Sequence, residues 1–516
     1  MTVTIGQSSK HTATGHDWLA LAVLLAGAFM ALLDSTIVNV AVPTIRTSIG
    51  ASNATLSWIV SGYALAFGLA LIPAGRIGDR IGHKWVFIGG LSLFTLASLA
   101  CGLAQEDAQL VAARAVQGLA GGLFYTPINA LIQLMFVDRQ RGRAFSLRAA
   151  TIGVSMACGP LAGGLIIQAF GPGVGWRLVF AINIPIGVLA VAAALRLLPG
   201  RADPRAFSAD WPGLGLLSAG LVALLAALIE GQQLGWPVWT YLSLAAAVVT
   251  IVVFVRWQRR VENRGGTPVV PPRLFKHRSF AGGVLVGLVD FAAFMSIFFT
   301  IAMLWQAGLS HSALQSGLVV MPFAVGIVVG AARSAAFAAR FGRGALVIAL
   351  GLVAVGMSAA WLVLAVTPAA CYSGWQLAVP LLVAGAGNGI FIAANLDFIV
   401  ATVEPADAGA ASGIICTTQR VGSSIGTAVA STVLFGTLHF DRVPNSVALA
   451  FAHSATAAMA VSASLSVVAF VLVFILPADE SARSCIASAK GRVTGGRSHA
   501  ETPARRAARS PEAVRR

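Results

Sequence analysis

Gly75-Arg76-Ile77-Gly78-Asp79-Arg80-Ile81-Gly82-His83-Lys84 joins two long apolar blocks, residues 56–74 and 85–104. Each block approaches or exceeds the roughly 18 apolar residues that cross a bilayer. Glycines at 75, 78 and 82 permit a tight turn with close helix approach. Asp79 is placed to cap the helix that follows and to meet the positive end of its dipole. Arg80 and Lys84 supply countercharges. An ordinary charged turn between two spans requires no such spacing of glycines, acid and bases.

The same alternation of apolar block and charged turn runs along all 516 residues, of which 57% are hydrophobic and 10% charged. A soluble globular protein carries about 25% charged residues, and a water-exposed surface cannot be built from so few. Apolar blocks fall at 18–42, 56–74, 85–104, 109–136, 145–169, 178–198, 212–231 and 238–255. Six more fall at 280–304, 314–333, 344–366, 376–402, 409–437 and 453–476. The chain therefore reads as an all-α polytopic membrane protein with about fourteen transmembrane helices. Its 55 glycines suit the close helix packing found in membranes.

A net charge of +16 raises nucleic acid as a partner. That reading fails, because the basic residues sit between apolar blocks. With the first residues in the cytoplasm, thirty Lys and Arg fall on inner segments, those of the 137–148 loop included. Three fall on outer ones, Arg46, Arg177 and Arg442. Such a bias marks the cytoplasmic side, and an even span count puts both termini there. The prevalence of Arg and Ala points to a bacterial plasma membrane. Residues 1–17 are polar, and the first block is too long for a leader's apolar region, so no cleavable leader is expected. Cys101, Cys158, Cys371, Cys416 and Cys485 share no metal-like spacing and read as small buried hydrophobes. No nucleotide-binding Gly-Lys-Ser/Thr motif and no Ser-His-Asp or metal constellation is present, so no enzyme, cofactor or metal is expected.

The loop at 75–84 resembles the cytoplasmic signature of the major facilitator superfamily, whose pattern Gly-x-x-x-Asp-Arg-x-Gly-x-Lys it matches throughout. The resemblance implies a major facilitator fold and a conformational switch at Gly75, Gly78, Asp79, Arg80, Gly82 and Lys84. A weaker echo at Arg340-Phe341-Gly342-Arg343 lacks the acid. Leu33-Asp34-Ser35-Thr36, followed by Asn39 and Pro43, looks like the signature of drug:proton antiporters. Arg114-Ala115-Val116-Gln117-Gly118 resembles that family's Arg-x-x-Gln-Gly motif. Gly159-Pro160-Leu161-Ala162-Gly163-Gly164 resembles its Gly-Pro antiporter motif, with Ser155 where the family usually has Gly, and this resemblance adds Gly159 and Pro160 to the conformational switch. Trp176-Arg177, Phe180 and Asn183-Ile184-Pro185-Ile186-Gly187 resemble the start of span six in the fourteen-span branch. The match is close over residues 30–190. Beyond 200 it rests on span count and small residues such as Gly385, Gly387, Gly389, Gly422 and Gly426.

Charges inside spans carry their own argument. Each costs about 2.5–3.5 kcal/mol on insertion scales. Span one runs outward and span four inward, so Asp34, about sixteen residues or roughly 24 Å from the inner edge, matches Arg114 in depth. The two are placed to pair and to couple transport to protons. Opposite charge favours the carboxylate and desolvation favours the acid, so small changes in hydration can load or release a proton. Asp290 lies mid-span, where transporter substrate sites gather, with no basic residue at its depth except Arg420. It is placed as a second proton group and, with Asn39 and Gln117, as a cavity residue. Asp397 reads as a residue reaching water at a span end.

The resulting expectation has five parts: a segment at 1–17, a six-helix half at 18–198, two extra helices and a linker at 199–279, a second half at 280–476, and a basic disordered tail at 477–516. The function is export of hydrophobic or cationic small molecules, drugs or antibiotics, in exchange for protons by a monomer in the lipid bilayer. A dedicated metabolite exporter or importer is the alternative. A polytopic membrane enzyme is a distant one, since it would show carboxylate clusters or a sizeable soluble loop.

Overall fold

A computed structural model of the chain describes residues 14–51, 53–200, 210–266, 268–401, 403–404, 407–438 and 446–476. The expected tail lies outside them. Among the described residues the chain is all-helical. The helices are α1 Gly15–Ile49, α2 Asn53–Ile81, α3 His83–Leu103, α4 Asp107–Met135, α5 Asp138–Ala181, α6 Asn183–Leu197, α7 Trp211–Leu234 and α8 Val238–Asn263. They continue with α9 Arg278–Ala302, α10 Ala313–Phe341, α11 Gly344–Val366, α12 Gly374–Val400, α13 Ala408–Gly436 and α14 Ser446–Leu472. Several outrun their apolar blocks, because charged residues at their ends extend them past the hydrocarbon. The sequence places a break between spans five and six, and the backbone leaves the helical region there at Gly171, whose φ of 76° suits glycine, so that the membrane-length stretches separate as Arg139–Gly171 and Gly173–Leu197.

By length and composition, twelve stretches among the described residues can cross a membrane. The sequence reading gave about fourteen. The two helices that fall short are α4 and α13. Both carry polar residues on buried faces, among them Arg114, Gln117 and Asn129 on α4 and Ser412 and Thr417 on α13. These residues lower the mean hydropathy of helices that meet other helices more than lipid. The opposite case is α8, whose Val248, Val249 and Val252 are exposed, as a lipid-facing helix requires.

Within α1–α6, α1 packs on α5 and α6, while α4 packs on α2 and α3. Within α9–α14, α12 packs on α10 and α11, and α14 on α9 and α11. The two sets meet where α2 crosses α13 and where α5 crosses α10. The pair α7–α8 holds together and reaches both sets through α7, which touches α2 and α13. The N-terminus of α7 is fixed by Asp210, which accepts from the Gly213 N–H at 2.9 Å and from Trp257 and Gln258 of α8 at 2.8 Å each.

Candidate functional site

The depth match between Asp34 and Arg114 is realised as an ion pair. Arg114 Nη1 donates to Asp34 Oδ2 at 2.6 Å, and the two residues are 1% and 0% exposed. α1 and α4 supply these charges, and the surrounding helices satisfy what remains of them. Arg114 Nε donates to the Ile59 carbonyl of α2 at 3.1 Å, and its guanidinium lies 4.0 Å over the Tyr63 ring. Gln117, one turn along α4, accepts from Arg114 at 2.8 Å and donates to Asp34 Oδ1 at 3.0 Å. A buried pair lacking such partners would not recover its desolvation cost.

Two members of this network were not singled out as site residues from sequence. Asn183, which opens α6, donates to Asp34 Oδ1 at 2.9 Å. Ser98 on α3 accepts from both Asn183 and Gln117 at 3.0 Å and donates to the Phe180 carbonyl. Asn183 stood inside a recognised motif, so a signal was there. Ser98 stood in an apolar block with no signal at all. Gly159 on α5 faces α1 at Thr36, two residues past Asp34, and a Cβ there would overlap the Thr36 hydroxyl. Asn39 and Pro160 lie on α1 and α5, and their side chains fall outside the described residues.

Beside the pair lies a cavity of about 630 Å³. Arg114, Tyr63 and Tyr125 line one side, Phe291, Phe294 and Phe298 the other, and Arg420 and Gln419 project from α13. Among the described residues the lining holds no carboxylate. Gln117 and Asp290, placed in the cavity from sequence, are fully buried and stand outside this lining. Asp290 accepts two hydrogen bonds from Asn388 Nδ2, at 3.0 and 3.2 Å. Arg420 does not meet it; its guanidinium lies 4.4 Å over the Phe67 ring.

The 75–84 loop sits at the basic end of the bundle and joins α2 to α13. Asp79 does not cap α3, the helix that follows it, as its position in the sequence led us to expect. Its Oδ1 accepts from the Gly409 N–H at the start of α13, at 3.1 Å. The correction has a geometric cause. Gly82, with φ 95°, occupies the cap position of α3, and Asp79 lies in the last turn of α2, the helix that packs on α13. Gly75 admits this contact, since a Cβ there would overlap the Gly409 carbonyl. His83 Nε2 lies 3.4 Å from Asp79 Oδ1, and a Cβ on Gly78 would meet the His83 ring. Arg76 donates to the Val269 carbonyl at 2.6 Å and to that of Pro268, tying in the linker before α9. Lys84 donates to the Leu195 carbonyl at 2.8 Å, and Arg80 is exposed.

More bonds join the two helix sets at this end. Arg141 Nε pairs with Asp397 at 2.7 Å, which corrects the reading of Asp397 as a residue that only reaches water. Gln133 donates to the Val400 and Val403 carbonyls, and Ser146 and Ser334 share a 2.6 Å hydrogen bond. Arg148, counted from sequence among the loop charges, is buried within α5. Of the described cysteines, Cys101 and Cys416 are buried as expected, Cys158 is half-buried, and Cys371 is exposed at the end of the short 3-10 helix Ala369–Cys371.

The family model described as Major Facilitator Superfamily matches residues 24–427. The chain is 36% identical over 422 residues to the probable actinorhodin transporter of Streptomyces coelicolor, covering 82% of this chain and 73% of that protein. It is 36% identical over 424 residues to a methylenomycin A resistance protein of the same organism, covering 82% and 86%. Among solved structures, the proton:xylose symporter XylE superposes with a TM-score of 0.59 at 15% identity, over 90% of this chain and 96% of that one. At that identity the likeness speaks for the fold alone.

Proposed function

The chain belongs to the Major Facilitator Superfamily, and from that premise we propose that it exports hydrophobic, antibiotic-type molecules across a bacterial plasma membrane in exchange for protons. It is a membrane transporter and not an enzyme, and its relatives are antibiotic transport and resistance proteins. The observation that carries the proton part is the buried Asp34–Arg114 pair, one face of which opens on the cavity through Arg114. A substrate that disturbs Arg114 changes the balance of attraction and desolvation on Asp34 without touching it. Protonation of Asp34 frees Arg114, Gln117 and Asn183 to rearrange, which links proton binding to the packing of α1, α4 and α6. Each inward proton contributes about 2.3 kcal/mol per 100 mV of membrane potential, before any pH difference.

The orientation we adopt puts the basic end in the cytoplasm, with both termini there. Bonds from Asp79, Gln133, Arg141 and Ser146 close that end, so the cavity belongs to an outward-facing state. We read α1–α6 and α9–α14 as the two moving halves of a monomer. In this reading α4 and α13 also span, and α7–α8 is the extra pair of a fourteen-span transporter. Asp290, buried with an amide and no cation, serves as a second proton group. Cationic substrates have no carboxylate in the described lining to receive them, so the proposal leaves them out.

A susceptibility panel in an efflux-deficient host tests the reading. Expression of the chain is expected to raise the inhibitory concentration of several hydrophobic antibiotics, and Asp34→Asn to abolish the rise. Protection against one compound alone favours a dedicated exporter, and no protection in any case sinks the proposal.

A further inference from the structure

Among the described residues, two arginines beside the cavity have no counter-ion. Arg148 is 0% exposed, and none of its three guanidinium nitrogens has a hydrogen-bond partner among the described residues. Its Cζ lies 5.3 Å from the ring of Tyr125, which lines the cavity. Arg420 lines the cavity itself, and its guanidinium likewise has no hydrogen bond or ion pair among the described residues, stacking instead on Phe67. The rings of Phe67 and Tyr125 are 5.6 Å apart. The two guanidiniums therefore bracket an aromatic pair in the cavity wall and leave their N–H donors unused.

Helical spacing places both on helix faces that line the cavity further along. Arg148, Ile152 and Met156 recur every four residues on α5, and the last two line the cavity. Arg148 is the next residue of that face toward the basic end. On α13, Cys416, Arg420, Ser423 and Thr427 share the lining face. The charge is not balanced nearby. Asp34 is engaged by Arg114, Asp290 is held by Asn388, and no carboxylate lines the cavity among the described residues. A buried cation without a partner is costly, and chains keep such groups where a ligand completes them.

We propose that the cavity takes an organic anion, a carboxylate or phenolate on an aromatic body, with Arg420 holding the charge and Arg148 supporting it from behind Tyr125. The ring cluster of Phe291, Phe294 and Phe298 receives the apolar body. Arginine suits the task because its planar fork binds a carboxylate while its face stays stacked on a ring. This deepens the transport reading and rests on it for the identity of the cavity.

The test measures binding to the full chain in phosphatidylcholine nanodiscs, which offer no anionic headgroup as competitor. The probes are 1-naphthoate, neutral 1-naphthamide and cationic 1-naphthylmethylamine, each corrected for uptake by empty discs. Naphthoate is expected to bind about tenfold or more tighter than either, the scale of one desolvated hydrogen bond to a charge. Arg420→Gln is expected to erase the preference and Arg420→Lys to keep part of it, which separates lost charge from lost folding. Arg148→Gln is expected to weaken naphthoate and leave naphthamide unchanged. Equal binding of the three probes, or a preference that survives Arg420→Gln, overturns the anion site. A preference unaltered in Arg148→Gln removes Arg148 from it. Anion binding with these dependences but no antibiotic protection in cells would sink the efflux reading and leave the anion site standing.

Discussion

Asp79 Oδ1 and the backbone N–H of Gly409 lie 3.1 Å apart across 330 positions of the chain. The acid within the signature loop thus caps a helix of the other set. That bond requires α2 and α13 to meet at the basic end, so in the proposed transport cycle it contributes to one state and not to another.

Asp79→Asn keeps an oxygen that accepts from Gly409 and loses the charge that meets the α13 dipole. Asp79→Ala loses both. A helix cap is worth about 1 kcal/mol, or roughly fivefold in an equilibrium. Efflux rates at equal expression are expected to fall in the order wild type, Asp79→Asn, Asp79→Ala. Equal rates for wild type and Asp79→Ala would remove the latch role.

Ser146 and Ser334 share a 2.6 Å contact between α5 and α10. Cysteines at both positions, in a chain without its native cysteines, fall within reach of a disulfide, whose Cβ atoms stand about 3.5–4.5 Å apart. Oxidation is expected to cross-link the halves, stop transport and leave the cavity open to ligand, and reductant to restore activity. Full transport by the cross-linked protein would show that this end does not open.

Asp34→Asn keeps size and hydrogen bonding but cannot titrate. Substrate binding and downhill exchange are expected to survive while proton-driven uphill efflux is lost, read as substrate-induced proton movement in proteoliposomes. Arg114→Ala leaves a carboxylate buried without its cation, a change worth about 3–5 kcal/mol of stability. Arg114→Lys keeps the charge but loses the planar fork. Thermal unfolding is expected to rank wild type, then Arg114→Lys, then Arg114→Ala. Normal proton-coupled accumulation by Asp34→Asn would move the carrier role to Asp290.

Asp290→Asn replaces an acid–amide contact with Asn388 by an amide–amide one. The protein is expected to fold and bind as before, and protons moved per substrate to fall. Because Asp290 stands outside the described lining, the ratio of cationic to neutral substrates bound is expected not to change. Selective loss of cations would place the carboxylate in the cavity at some point of the cycle.

The sequence alone determined that the chain is helical and embedded in a membrane, because hydropathy is a sum over neighbours along the chain and needs no knowledge of packing. It also set Asp34 and Arg114 at one depth, since a helix advances a fixed 1.5 Å per residue. Which face of each helix meets which neighbour was decided only in three dimensions. Ser98, an unremarkable residue in an apolar block, became a shared acceptor because α3, α4 and α6 converge there. Asp79 found its partner in α13 and not in the next helix. Arg148, a loop charge by its position, is buried because α5 extends back to Asp138 and turns it inward. Side-chain direction around a helix axis follows from packing between distant segments, and no local pattern encodes it.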